Sequence, residues 1–222
     1  MRPKIVGVIF SSADLQRALR MRKPPDLFEV RLDRFAGDNA RLKAAIERLP
    51  APLIITARHP REGGANNLPA ARRRALLLEF LPWARYVDVE LRAMPALRSV
   101  LDAAAEKRIN AIVSFHDLLT TPSATQLDQI VARARSLGAR LVKIATRTDT
   151  RAQLDTLLRF FGRQRRRSEI VAMGIGRLGR QSRLELARRG CVLNYVHLGS
   201  PVAAGQLSIE ELRRFAARGA LS

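Results

Sequence analysis

One cysteine, Cys191, stands among 222 residues. A lone thiol excludes an internal disulfide framework and a thiolate-built metal cluster. Histidine occurs three times, as His59, His116 and His197. No apolar run approaches the roughly 18 residues that a membrane span needs. Met1-Arg2-Pro3-Lys4 leads into the short apolar stretch 5–10, and Ser11-Ser12-Ala13-Asp14 then reads as a helix start rather than a cleavage site. No signal peptide is expected, and the cytoplasm is the expected compartment. Glycine-rich phosphate loops are missing too. The first strand-to-helix turn reads Phe10-Ser11-Ser12-Ala13, with neither a dinucleotide fingerprint nor a Walker-type loop. Neither a linker nor a low-complexity segment interrupts the chain, so residues 1–222 are expected to form one catalytic domain.

Negative charge is also scarce. Forty basic residues face 20 acidic ones, giving a net charge of +20. Such an excess points first to nucleic acid. Its distribution argues otherwise. Lysine is limited to Lys4, Lys23, Lys43, Lys107 and Lys143, and the arginines are spread over nearly every expected helix. The dense runs are Arg72-Arg73-Arg74 and Arg165-Arg166-Arg167. Solvated helix faces and loops account for this pattern better than a phosphate-binding surface, and a positive field also favours a small anionic substrate.

What is present is an alternation. β-Branched runs predict strands at 4–10, 27–33, 53–58, 86–91, 111–116, 141–146, 170–175 and 192–198. Helical spacing of apolar residues follows each one, at 13–21, 40–49, 69–81, 95–107, 125–137, 151–161, 181–189 and 209–217. Ser123, Thr150 and Ser208 stand where the last helices of the series need N-caps. Eight strands, each followed by a helix, predict an α/β fold of the compact (β/α)₈ TIM-barrel kind.

Residues two apart on a strand share a face. On one face the expected strands carry Glu29, Arg31 and Asp33; Thr56 and Arg58; Asp88 and Glu90; Ser114 and His116; and Lys143. The alternate positions, such as Val30, Leu32, Val87, Val89, Phe115, Val142 and Ile144, are apolar. A purely structural barrel interior would be filled by Val, Ile and Leu. Charges of both signs inside it form either a packing network of ion pairs or an active site. Their place near strand C-terminal ends favours the site.

Lys143 is the sharpest of these residues. Burial, with arginines nearby, is expected to favour its neutral amine, the form that attacks carbonyls. An ion-paired structural lysine with Glu29, Asp88 or Glu90 as counter-ion is the alternative. His116 ends the preceding strand, where an imidazole can carry a proton at neutral pH. His59 has the opposite strand parity to Arg58 and is expected to face a loop or helix. His197 shares the parity of Tyr195 and is expected near the barrel mouth.

Six segments occur in order along the chain: Phe28-Glu29-Val30-Arg31-Leu32-Asp33; Thr56-Ala57-Arg58 with Glu62-Gly63-Gly64; Ser114-Phe115-His116-Asp117; Val142-Lys143-Ile144-Ala145-Thr146; Gly176-Arg177-Leu178-Gly179-Arg180-Gln181-Ser182-Arg183; and Ala203-Ala204-Gly205-Gln206. Together they resemble the motifs of the type I 3-dehydroquinate dehydratase family. The resemblance implies a (β/α)₈-barrel lyase of the shikimate pathway, commonly a homodimer, without metal or organic cofactor. It also implies that Lys143 forms a Schiff base with the ketone of 3-dehydroquinate. His116 would then be the general acid and base, and Glu62 would position and tune it. Glu29, Arg31 and Arg58 would bind ring hydroxyls and organise the lysine. Arg183 would pair with the substrate carboxylate, and Gln206 would belong to a closing loop. The chain departs from the family pattern at Ile175, Cys191 and Asn194. It departs again in the loop Val202-Ala203-Ala204-Gly205-Gln206, which lacks the family's serine and proline.

Two other readings compete. A class I aldolase-like barrel also places a Schiff-base lysine on strand six, but the arginines and glutamate favour a carboxylated polyol ring over a sugar phosphate. A basic, non-catalytic barrel that binds nucleic acid is the third, and the retained Lys143, His116, Glu62 and Arg183 oppose it.

Overall fold

The alternation becomes a curled parallel sheet wrapped by helices in a computed structural model, which describes residues 3–35 and 37–220. The strands are β1 (Lys4–Ile9), β2 (Leu27–Arg31), β3 (Leu53–Thr56), β4 (Ala84–Glu90), β5 (Asn110–Asp117), β6 (Leu141–Arg147), β7 (Ile170–Ile175) and β8 (Leu193–His197), with a two-residue β9 (Leu207–Ser208). The helices are α1 (Ser12–Leu19), α2 (Asn39–Ile46), α3 (Ala70–Phe80), α4 (Met94–Glu106), α5 (Ala124–Ser136), α6 (Arg151–Gln164), α7 (Gly179–Arg188) and α8 (Ile209–Phe215). This is the (β/α)₈ barrel architecture. No helix among the described residues is long and apolar enough to cross a membrane.

Local chemistry starts the helices where the sequence says it should. Ser123, Thr150 and Ser208 each close a capping box with a side chain three residues on: Gln126, Gln153 and Glu211. Strand ends shift more. The expected second strand runs to Asp33, but Leu32–Arg34 turns into a 3₁₀ segment, so Asp33 leaves the strand face it was expected to share. The third strand stops at Thr56, two residues before Arg58. Nothing in the periodicity announces β9, which is too short to show a period.

The strand order is β7-β6-β5-β4-β3-β2-β1-β8-β9, all pairs parallel. Among the described residues no hydrogen-bonded ladder joins β7 to β8. The Cys191 thiol contributes weak bonds at that seam, to the carbonyls of Ala172 on β7 and Leu193 on β8.

Helix α7 packs hard on β7 because residue 174 is glycine. A Cβ there would lie 2.3 Å from Ser182 Oγ. That hydroxyl accepts from Gly174 N at 3.0 Å and donates to Gly179 O at 2.7 Å. The close approach fixes where Arg183, the next residue on α7, enters the protein.

One arginine departs from the expected solvated runs. Arg73, on α3, is 1% exposed and pairs with Glu90 at 2.9 Å. It clamps the helix layer to the charged end of β4.

Candidate active site

Cross-strand register gathers the polar face seen in the sequence. Arg31 on β2 lies level with Thr56 on β3, and Thr56 with Asp88 on β4. Glu90 is level with Ser114 on β5, and Ser114 with Lys143 on β6. At the C-terminal ends of these strands a cavity of about 320 Å³ opens. Glu29, Arg31, Arg58, Glu62, His116, Lys143, Arg183 and Gln206 all line it, and all eight are buried. Arg147, Met173, Ile175 and Tyr195 line it too, as does the segment Val202, Ala203 and Ala204.

The Lys143 amine is held by two carboxylates, Glu29 at 3.2 Å and Asp88 at 3.0 Å. Two of the three candidate counter-ions are thus in contact with it, and Arg58, which donates to the same Asp88 oxygen at 2.8 Å, is the arginine expected beside it. Glu90, the third candidate counter-ion, is engaged elsewhere, by Arg73, Arg58 and the backbone N–H of His59. Tyr195 supplies a third side to the amine, its ring centroid 4.0 Å from Nζ. An aromatic face at that distance favours a cation.

Asp88 and Arg58 form the hub of the floor. Asp88 accepts from Arg58 at 2.8 Å and from Ser114 at 2.6 Å. Burial works against the Asp88 charge, but Arg58 and Lys143 overcome it and hold the carboxyl far below its usual range. Burial likewise opposes the Arg58 guanidinium, and Asp88 and Glu90 raise it regardless. Arg31 is fixed by a two-point pair with Asp33, both contacts at 2.9 Å, and donates to Gly63 O at 3.0 Å. Removing one member of so buried a set would strand its partner.

Glu62 comes from a 3₁₀ turn after β3 and meets His116 Nδ1 through Oε2 at 2.7 Å. Burial, joined by the charges of Arg58 and Lys143, holds the imidazole well below its ordinary value, so the ring is neutral at pH 7. Burial pushes Glu62 up to about 7, with Glu90 and Asp88 acting in the same direction against Arg58 and Arg92. When Glu62 is ionised it accepts from Nδ1–H, and Nε2 keeps a lone pair for a proton. When Glu62 is protonated it donates to Nδ1, and Nε2 carries the hydrogen. One proton on the pair thus switches the outer nitrogen between base and acid.

Arg183 differs from the other cations. It starts on α7, outside the strand layer, yet reaches the cavity beside Met173 of β7 and Tyr195 of β8. It uses the β7–β8 seam, where no ladder bars the way. Its Nη1 donates to Tyr195 O at 3.2 Å, its Nε has no partner, and it pairs with no carboxylate among the described residues. Burial holds it down to about 10. A buried guanidinium without a counter-ion is a receptor for an anion.

The family model described as "Type I 3-dehydroquinase" matches residues 9–217. The chain belongs to the type I 3-dehydroquinase family. A 3-dehydroquinate dehydratase of Thermococcus gammatolerans is 35% identical over 95% of this chain and 96% of its own. That of Thermococcus onnurineus is 34% identical over 95% of each. The solved 3-dehydroquinate dehydratase of Geobacillus kaustophilus superposes with a TM-score of 0.87 at 26% identity, covering 98% of this chain and 91% of that one. Likeness to these dehydratases thus runs through almost the whole barrel.

The structure brings together all eight residues to which the family resemblance pointed, but not His197, which parity placed near the barrel mouth. His197 stands apart, its Nδ1 buried without a partner and its side chain outside the cavity. His59 also lies outside, beyond the end of β3, where its Nδ1 accepts from Arg61 N. Gln206 occupies the loop after β8. Its side-chain oxygen accepts from Val202 N at 2.8 Å, and Gly176 N ties the same loop to β7 by donating to Ala204 O at 3.1 Å. Sequence reasoning missed Tyr195 and Arg147 as site residues. Strand parity held a signal for both. Tyr195 shares a face with Leu193 on β8, and Arg147 lies four residues beyond Lys143 on the same face of β6.

Proposed function

We propose that this chain dehydrates 3-dehydroquinate to 3-dehydroshikimate through a Schiff base on Lys143, with His116 as general base and then general acid. The observation that carries the reading is the meeting of an amine, a neutral imidazole and a buried, unpaired guanidinium in one cavity.

The ring ketone accepts the Lys143 nitrogen, and the resulting carbinolamine loses water to give an iminium. Before attack the amine hands a proton to Glu29, already in contact with it, or to the imidazole, while Asp88, held far below its usual range, stays ionised. The iminium draws electrons from the adjacent C–H bond. His116 Nε2 takes that proton, leaving an enamine. The enamine pushes out the β-hydroxyl, which leaves as water with the proton His116 has stored. Hydrolysis of the conjugated iminium frees the product and restores the amine. One positioned base of this kind contributes ~10²–10⁴-fold to a rate.

Glu62 orients His116 and sets its outer tautomer. Glu29, Arg31 and Arg58 face the ring hydroxyls, Arg183 takes the carboxylate, and Gln206 belongs to the loop that covers the bound ring. This chemistry calls for neither a metal nor an organic cofactor. The proposal extends to a single catalytic unit acting as a homodimer in the cytoplasm.

Borohydride reduction in the presence of 3-dehydroquinate tests the reading. Intact-mass and peptide analysis should find a reduced adduct on Lys143, and Lys143→Ala should lose both the adduct and the rise in enone absorbance. An adduct on another residue, or turnover that survives in Lys143→Ala, refutes it.

A further inference from the structure

Five side-chain cations line the cavity: Arg31, Arg58, Lys143, Arg147 and Arg183. Three are committed to carboxylates of the floor, Arg31 to Asp33, Arg58 to Asp88 and Lys143 to Glu29 and Asp88. Among the described residues Arg183 pairs with no carboxylate, and Arg147 pairs with Asp149 outside the floor through Nε alone, leaving both of its terminal nitrogens without a protein acceptor. We propose that Arg147 is a substrate-binding residue, its terminal nitrogens forming a second cationic contact to the carboxylate held by Arg183. The inference rests on the dehydroquinate reading and deepens it.

Arg147 is the last residue of β6, on the face that carries Lys143 and Ala145, and all three line the cavity. Its Nε donates to Asp149 Oδ2 at 2.6 Å, and its two terminal nitrogens meet no acceptor among the described residues. Asp149 is itself fastened. Its Oδ1 accepts from Arg177 N at 2.6 Å, and its carbonyl oxygen accepts from Arg177 Nε at 2.9 Å and Nη2 at 2.7 Å.

Residue 176 makes this buttress possible. At φ +109° it adopts a backbone that favours glycine, and a Cβ there would lie 2.2 Å from Asp149 Oδ1 and 3.0 Å from Arg147 Nε. The guanidinium is therefore held at the cavity mouth by a built platform, so binding loses less side-chain freedom than with an untethered arginine. The loop residues Val202, Ala203 and Ala204, which also line the cavity, offer no side-chain donor. Arg147 supplies the charged donor that this loop lacks, and a planar guanidinium suits a carboxylate.

The test is calorimetric binding of two inert ligands to wild type, Arg147→Met and Arg147→Lys. One ligand is the alcohol formed by reducing the ring ketone of dehydroquinate, which cannot form a Schiff base. The other is its carboxamide. Arg147→Met should weaken the carboxylate ligand by about 10- to 100-fold, as expected for loss of a charge-assisted hydrogen bond. It should leave the carboxamide within about twofold, and Arg147→Lys should recover part of the loss. A purely structural role would weaken both ligands alike and gain nothing from lysine. Equal losses, or no loss for the carboxylate, overturn the proposal. Because these ligands bypass the chemistry, this outcome is independent of whether Lys143→Ala abolishes turnover.

Discussion

Replacing Arg183 with methionine should make the free protein more stable and the enzyme a worse binder. Arg183 is 8% exposed, and its guanidinium donates to one backbone carbonyl and has no carboxylate partner among the described residues. Its pKa is depressed by burial to about 10. For a base held below its ordinary value, the penalty on the folded state is fully present below the folded pKa and is relieved only as pH rises through it. At pH 7 the penalty is therefore complete, and the depression corresponds to roughly 3 kcal/mol. Methionine removes the charge and fills much of the same volume, losing the bond to Tyr195 O, worth about 1 kcal/mol. The net gain is about 1–2 kcal/mol, a rise in Tm of roughly 2–8 °C for a chain of this size. The substrate loses a charge-assisted pair in a desolvated site, so KM should rise on the order of 10²-fold. Thermal denaturation at pH 7 and steady-state kinetics on one preparation measure both. A lower Tm would show that Arg183 is a structural cation, and an unchanged KM would show that the carboxylate binds elsewhere.

The Glu62–His116 pair predicts a pH profile. Below about pH 7 Glu62 holds a proton and Nε2 carries hydrogen; above it Nε2 is free to act as a base. The kcat/KM for dehydroquinate should thus climb through an apparent pKa near 7, and Glu62→Gln should abolish that limb while lowering kcat. An unmoved limb in the variant would detach it from Glu62. Gly174→Ala should destabilise the fold by about 1–3 kcal/mol, because its Cβ would meet Ser182 Oγ at 2.3 Å. Chemical denaturation reads the loss, and a KM increase larger than that of a distant variant of equal instability would show that Arg183 had moved with α7.

Much of this was legible because the information is local or periodic. A period of two along β2, β4 and β5 puts Glu29 with Arg31, Asp88 with Glu90, and Ser114 with His116 whatever the rest of the chain does. Serine or threonine at 123, 150 and 208 caps helices through bonds spanning three residues. Other features had no local signature. Arg73 sits inside a run of three arginines that reads as solvent-facing, and only the packing of α3 against the barrel turns it towards Glu90. Which of the three candidate acids would hold Lys143 was left open for a related reason. Which charges touch depends on register between strands far apart in sequence, and that register chose Glu29 and Asp88.

The sequence by itself determined the alternation of strands and helices, the charged face of the barrel, and the motifs that mark the type I 3-dehydroquinase family. Tertiary structure alone decided which cations are spent on internal carboxylates and which remain free. It left the β7–β8 seam without a ladder, brought α7 close enough over Gly174 for Arg183 to enter there, and propped Arg147 on Asp149 at the mouth. Pairing of buried charges is settled by distances of a few ångströms between remote segments, and a linear pattern carries no such distances until the chain has folded.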